Sequence, residues 1–260
     1  METYGNSSAL NWTRRTIHTV EGSGMTPLAW LATAISATFA LTLFVKYATL
    51  RRPVYLIWAL SLLFFAVGSG AEAVARLGSW TESSVKVYYI FGAGLTAGWL
   101  GVGTLMLSSP RAGQIGLGLV FLASLVIIWQ AIAATVETSR LAAEGFEALA
   151  RPPLLRVPVV LMNIAGTFGV LLPTIRSAFR AVRVGEPWAR TWSLALIAAG
   201  VFIIAGGHSI AGGLRLAPAA AISLVNAVGV SLMFAGFVLP AVDAWLAAPV
   251  GAPVRAASPR

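Results

Sequence analysis

The stretch VYLIWALSLLFFAVGSGAEAVAR, residues 54–76, runs eighteen positions without a charged side chain before it reaches Glu72. As a helix those positions rise about 27 Å, close to the roughly 30 Å hydrocarbon core of a bilayer. Lipid offers no partner to an unpaired backbone group, so a segment of this kind crosses as a helix, and the short alternation of a barrel strand is missing from it. Six further runs of the same character occupy about 27–49, 86–108, 114–137, 154–179, 190–214 and 217–246. The expected fold is all-α: a polytopic membrane bundle of seven transmembrane helices over residues 27–248, with an outer N-terminal segment at 1–26 and a cytoplasmic tail at 249–260.

Composition points the same way. Hydrophobic residues make up 58% of the chain and charged residues 10%, against roughly 25% charged in a soluble domain. The net charge of +9 does not imply a nucleic-acid partner, because the basic residues are dispersed over helix ends and connections rather than gathered in one stripe. The connections after the first, third and fifth helices, with the tail, hold ten of them: Lys46, Arg51, Arg52, Arg111, Arg176, Arg180, Arg183, Arg190, Arg255 and Arg260. Eight lie on the other side, several in longer segments that weigh less in the positive-inside rule, which places the N-terminus outside and the C-terminus in the cytoplasm of a cell membrane. Tryptophans suit these boundaries, with Trp30 and Trp80 at the outer interface and Trp58, Trp188, Trp192 and Trp245 at the inner one. No cysteine is present, so disulfides, thiolate catalysis and cysteine metal sites are excluded together.

Residues 139–151, rich in helix formers and carrying a Glu147–Arg151 pair, predict a short helix on the outer interface before Pro152-Pro153. Helices one to three and five to seven look like weak copies of each other. Thr38-Phe39-Ala40-Leu41 matches Thr167-Phe168-Gly169-Val170, and Trp58-Ala59-Leu60 matches Trp192-Ser193-Leu194. Two parallel three-helix repeats joined by a fourth helix would give that pattern. In this topology the chain resembles the SWEET and PQ-loop carriers, more loosely the rhodopsin-like bundles, and also the seven-helix sensor regions that precede histidine kinases. It departs from the carriers in lacking their Pro-Gln pair, since Pro27, Pro173 and Pro218 are not followed by glutamine. It departs from the rhodopsins in having no lysine in its seventh helix for a retinal Schiff base.

Intramembrane polar residues are costly and point to function. Counting along the helices places Glu72 and His208 at one level, about 27 Å from the cytoplasmic edge, with Asn163 and Asn226 about 14 Å below the outer one. Gln130 lies near the outer end of the fourth helix. Facing inward, these five would line a pocket open to the outside, with Trp99 or Trp129 as a stacking wall. Each also has a structural reading: Glu72 stands one turn from Arg76, and His208 follows Gly206-Gly207, where small residues allow a close helix crossing. Two histidines are too few for a metal centre. No cofactor is indicated, although His208 with a methionine or a second subunit leaves haem open. No reaction motif is present, so the expectation is a non-enzymatic protein. The first expectation is an integral membrane protein that binds, and in its fuller form transports, a small solute. The second is a non-transporting sensor or accessory subunit whose basic inner loops dock a cytoplasmic partner or anionic lipid; beside the lipid bilayer, a membrane-protein partner or a second copy is also expected.

Overall fold

Residues 26–214 and 219–246 are described in the computed structural model. The expected outer segment and tail, and the side chain of Trp245, lie outside the described residues. Among the described residues seven helices are long and apolar enough to cross a membrane, which makes the chain a multi-pass integral membrane protein. They are α1 (Thr26–Leu50), α2 (Pro53–Leu77), α3 (Glu82–Ser108), α4 (Pro110–Ala133), α5 (Pro153–Arg183), α6 (Trp188–Leu214) and α7 (Ala219–Leu246). Because successive helices alternate in direction, the two ends of the bundle are called here the Thr26 face and the Leu50 face.

Proline and glycine set the boundaries. Arg51 takes a left-handed φ of 53° and Arg52 an extended one before Pro53, so α1 reverses into α2 within a minimal turn. Helix α5 ends at Gly185 (φ 67°), where Glu186 N–H donates to Ala181 O at 2.9 Å and Gly185 N–H to Val182 O at 3.3 Å, a Schellman ending. Helix α3 starts four residues earlier than the apolar run predicts, because Thr81 and Ser84 form a reciprocal capping box that extends it.

The predicted helix at 139–151 is instead a sequence of short turns, Thr138–Arg140, Leu141–Glu144 and Gly145–Ala148. Gly145 breaks it with a φ of 57°. A Cβ at Gly145 would stand 2.7 Å from the Trp80 indole nitrogen, so the backbone is pressed against that ring. Phe146 then packs on Tyr88, with ring centroids 4.8 Å apart. The Glu147–Arg151 pair is formed as expected, and Arg140 bridges Glu137 and Glu144, hydrogen bonds that hold its guanidinium above its ordinary pKa.

The packing order around the bundle is α1, α2, α3, α5, α6, α7 and back to α1, with α4 outside on α3 and α5. Exchanging the first and last three helices leaves this ring order unchanged, as a parallel repeat requires. Glycines bring the backbones together, as the spacing of Gly94, Gly98 and Gly101 suggested for α3. A Cβ at Gly166 on α5 would lie 2.1 Å from Ala97 O, and one at Gly101 would lie 2.5 Å from Gly166 Cα. The pairs Gly68–Gly92 (α2–α3) and Gly200–Gly229 (α6–α7) are comparably tight. Within α3, Tyr88–Leu95 is wound as a π-helix, whose displaced carbonyls need other donors. Thr96 Oγ1 donates to Phe91 O at 2.7 Å, and Ser61 Oγ on α2 donates to Thr96 O at 2.7 Å.

Replacing Gly166 by leucine should therefore cost at least the 1–3 kcal/mol typical of overpacking, about that much or more. Gly118→Ala, where nothing lies within 4 Å, should be neutral or stabilise by up to about 1 kcal/mol. Thermal unfolding of the two variants in the same detergent checks this, and equal midpoints would show that the α3–α5 crossing can relax.

Candidate functional site

Two inward stripes frame the bundle axis. On α2 they are Trp58, Leu62, Phe65, Ser69 and Glu72, and on α7, running the other way, Phe237, Met233, Val230, Asn226 and Ser223. Both follow the three-and-four spacing of one helical face. The last members meet at the Thr26 end.

There Glu72 is 3% exposed and Ser223 fully buried. Glu72 Oε1 accepts from Ser223 Oγ at 2.7 Å and from Arg76 Nη2 at 2.7 Å and Nε at 3.1 Å. Its second oxygen, Oε2, is buried with no hydrogen-bond partner among the described residues. A bare carboxylate at this depth would cost several kcal/mol, and Arg76 one turn away supplies the compensating charge. The serine bond ties α2 to α7 across the bundle. One turn further along α7, buried Asn226 places Oδ1 2.9 Å from His208 Nε2 on α6. An amide oxygen accepts, so in this arrangement Nε2 carries the proton. A Cβ at the neighbouring Gly207 would lie 2.5 Å from Val225, showing how closely α6 and α7 cross.

The structure thus brings Glu72, Asn226 and His208 into one laced end and leaves the other candidates elsewhere. Asn163 donates to Ala93 O at 2.7 Å and to Val159 O at 2.8 Å, satisfying a carbonyl of the π segment from the neighbouring helix. Trp99 donates to Ser124 Oγ at 3.0 Å and meets Phe64 edge-on, so it packs α3 against α4 and α2. Trp129 is 72% exposed on the outward side of α4, and Gln130 lies half-buried on the same helix, outside the ring. Counting residues gave these side chains a depth but no direction around the helix axis, and direction decides which of them meet. Ser223 was missed, although it sits one turn before Asn226 on the same face.

A cavity of about 160 Å³ occupies the other half of the axis, toward the Leu50 face. That is the opposite half from the one in which the sequence placed a pocket. All six ring helices line it, through Phe39, Leu62, Leu100, Val170, Ile197 and Met233 among others, and α4 does not. Two of its polar side chains are paired, Trp58 Nε1 donating to Thr104 Oγ1 at 3.3 Å and Thr104 Oγ1 to Leu100 O at 3.0 Å, and buried Thr174 also lines it. Trp58, expected at the headgroups, is therefore turned into the bundle. Ser108 and Ser177 line the cavity and are themselves exposed, so it reaches the Leu50 surface. Toward the Thr26 face, Phe65, Ala227 and Val230 belong to a packed core that closes the axis below the Glu72 cluster.

Neither a family model, nor a curated protein, nor a solved structure matches this chain. The likeness to known seven-helix carriers rests on helix order alone.

Two outcomes follow from the geometry. Asn163→Leu should destabilise the protein by about 1–3 kcal/mol, the cost of orphaning a buried carbonyl, and leave solute binding unchanged, which thermal unfolding with and without ligand checks. Arg76→Met should cost about 3–5 kcal/mol by stranding the Glu72 charge, with most of that loss recovered in the Glu72→Met/Arg76→Met double variant. A double variant no more stable than Arg76→Met would show that the two charges are not coupled.

Proposed function

We propose that this protein is a membrane carrier for a small, mainly apolar solute, which enters the axial cavity from the Leu50 face. The observation that carries the reading is the asymmetry of the axis. One half holds a cavity lined by every ring helix and open at one end; the other is closed by packed side chains and by the Glu72–Ser223 bond. In this reading the solute sits among the apolar lining, and Glu72, Ser223, His208 and Asn226 hold the far end shut rather than contact it. Transport would need that end to open, and the helices have places to bend: Pro173 borders the cavity, and Pro158 and Pro240 interrupt α5 and α7. The Leu50 face is then the cytoplasmic one, on the bias of basic residues, and the membrane is that of the cell.

One observation favours a sensor or accessory subunit instead. Arg51, Arg52, Arg111, Arg176, Arg180 and Arg183 have no carboxylate within ion-pairing distance among the described residues, which leaves a basic face for anionic lipid or a partner.

A thermal-shift screen of small aromatic and branched aliphatic solutes tests the cavity. Ligands near 100 times their dissociation constant should stabilise the protein by about 2.7 kcal/mol, and Leu100→Trp, which fills the cavity, should abolish the shift. In proteoliposomes loaded with the labelled solute, Glu72→Gln and His208→Ala should lose flux while retaining binding. Binding without flux in the unaltered protein, together with loss of a bound partner on changing Arg176, Arg180 and Arg183, would transfer support to the sensor reading. Shifts that survive in Leu100→Trp would remove the cavity from the account.

A further inference from the structure

We infer that the solute is a small organic anion, a carboxylate on an apolar body of about benzene size, whose charged group is held at the cavity mouth by Lys46. The inference rests on the carrier reading and deepens it. Lys46 lies on α1 one turn beyond Leu43, a cavity-lining residue, on the side toward the Leu50 face. Its ammonium stands 4.2 Å from the centroid of the Phe237 ring, and Phe237 is itself part of the lining. A lysine near a helix end usually extends its charge into the headgroup region. This one is half-buried against an aromatic face, one ring away from the cavity.

The charge has no fixed counterion. Among the described residues no carboxylate lies within 4.0 Å of Lys46. The acids on the Leu50 face are Glu186, which pairs with Arg190, and Asp243. A cation–π contact compensates a half-buried ammonium only in part, so an anion that reaches it gains a charge-assisted bond with little competition.

The place of Lys46 on the Leu50 side of the lining sets which end of the solute carries the charge. Within the lining the Trp58–Thr104–Leu100 chain is internally satisfied, and buried Thr174 adds a neutral hydroxyl but no charge. Near the mouth, the exposed Ser108 and Ser177 hydroxyls add donors to the lysine. A volume of about 160 Å³ matches the size of cavity that takes a benzene-sized guest, which suits an aromatic or short branched carboxylate lying with its body inward.

Benzoate and its neutral isostere benzyl alcohol are the probes, measured by calorimetry on the full chain in neutral detergent. Benzyl alcohol reports the cavity, and the ratio of the two affinities reports Lys46. Benzoate should bind more tightly, by the factor of about 10 to 100 that a hydrogen bond to a charged group supplies. Lys46→Met should remove that advantage without changing benzyl alcohol binding, and Lys46→Arg should keep most of it. If Lys46→Met fails to fold, Lys46→Gln with benzoate titrated at low and high salt gives the same comparison. Equal affinities for the two probes, or a benzoate advantage that persists in Lys46→Met and Lys46→Gln, would overturn the inference and leave the cavity reading intact. Failure of both probes to bind would overturn the two together.

Discussion

Helices in lipid gain little from hiding apolar surface, because the surrounding chains are as apolar as leucine; what holds them is how closely their backbones approach. Here three glycine contacts do most of that work: Gly101 against Gly166, Gly68 against Gly92 and Gly200 against Gly229. They fix neighbouring pairs at separate points of the ring, α3 with α5, α2 with α3 and α6 with α7. The approach of α3 to α5 leaves α4 no place in the ring, so it lies outside with its apolar face toward lipid. The fourth helix is therefore a connector in space as well as in sequence.

The seven spans were legible because lipid imposes one length and one secondary structure on any chain that crosses it. What the sequence could not supply was rotation about each helix. Counting along the sequence put Asn163 and Asn226 at one depth, yet they differ completely in role. The first donates to a π-helix carbonyl on α3, and the second faces His208. The π segment was itself illegible, because Tyr88–Leu95 has no local signature that separates a five-residue hydrogen-bond step from a four-residue one. It also gives Asn163 its partner, so a local surprise produced a misplaced site residue. The cavity was missed for a related reason. A search for function among polar side chains passes over a space lined by leucine, phenylalanine and valine.

The axis differs at its two ends because the residues on it differ in size. Toward the Thr26 face the inner surfaces carry Ala29, Ala32, Ser36, Ser69 and Ala73, all buried. Gly70 lies close enough to α1 that a Cβ there would meet Thr33 at 3.6 Å. Small side chains let the helices converge until Glu72 on α2 can touch Ser223 on α7. Toward the Leu50 face Phe39, Phe234 and Phe237 pack as tilted rings beside the cavity and Trp58 turns inward. The space left between these rings and the facing aliphatic side chains is the cavity.

That difference bears on how the Thr26 end could open. Phe65 on α2 and Ala227 and Val230 on α7 pack in one core below the Glu72 cluster, and the polar link between the two helices is one serine bond to a carboxylate already neutralised by its own helix. Parting α2 from α7 would separate Ser223 from Glu72 while the Glu72–Arg76 pair travels intact on α2, so no charge is stranded by the motion. His208 and Asn226 join α6 to α7, and a movement that carries these two helices together leaves their bond unbroken. The polar part of such an opening is one hydrogen bond to a charged group, about 1.5–3 kcal/mol, to which the apolar contacts parted in the core add, and a solute shifts the balance by its differential affinity for the two conformations. A carboxylate paired within its own helix is therefore suited to a moving closure, because it binds the opposite helix through a neutral hydroxyl that water can replace.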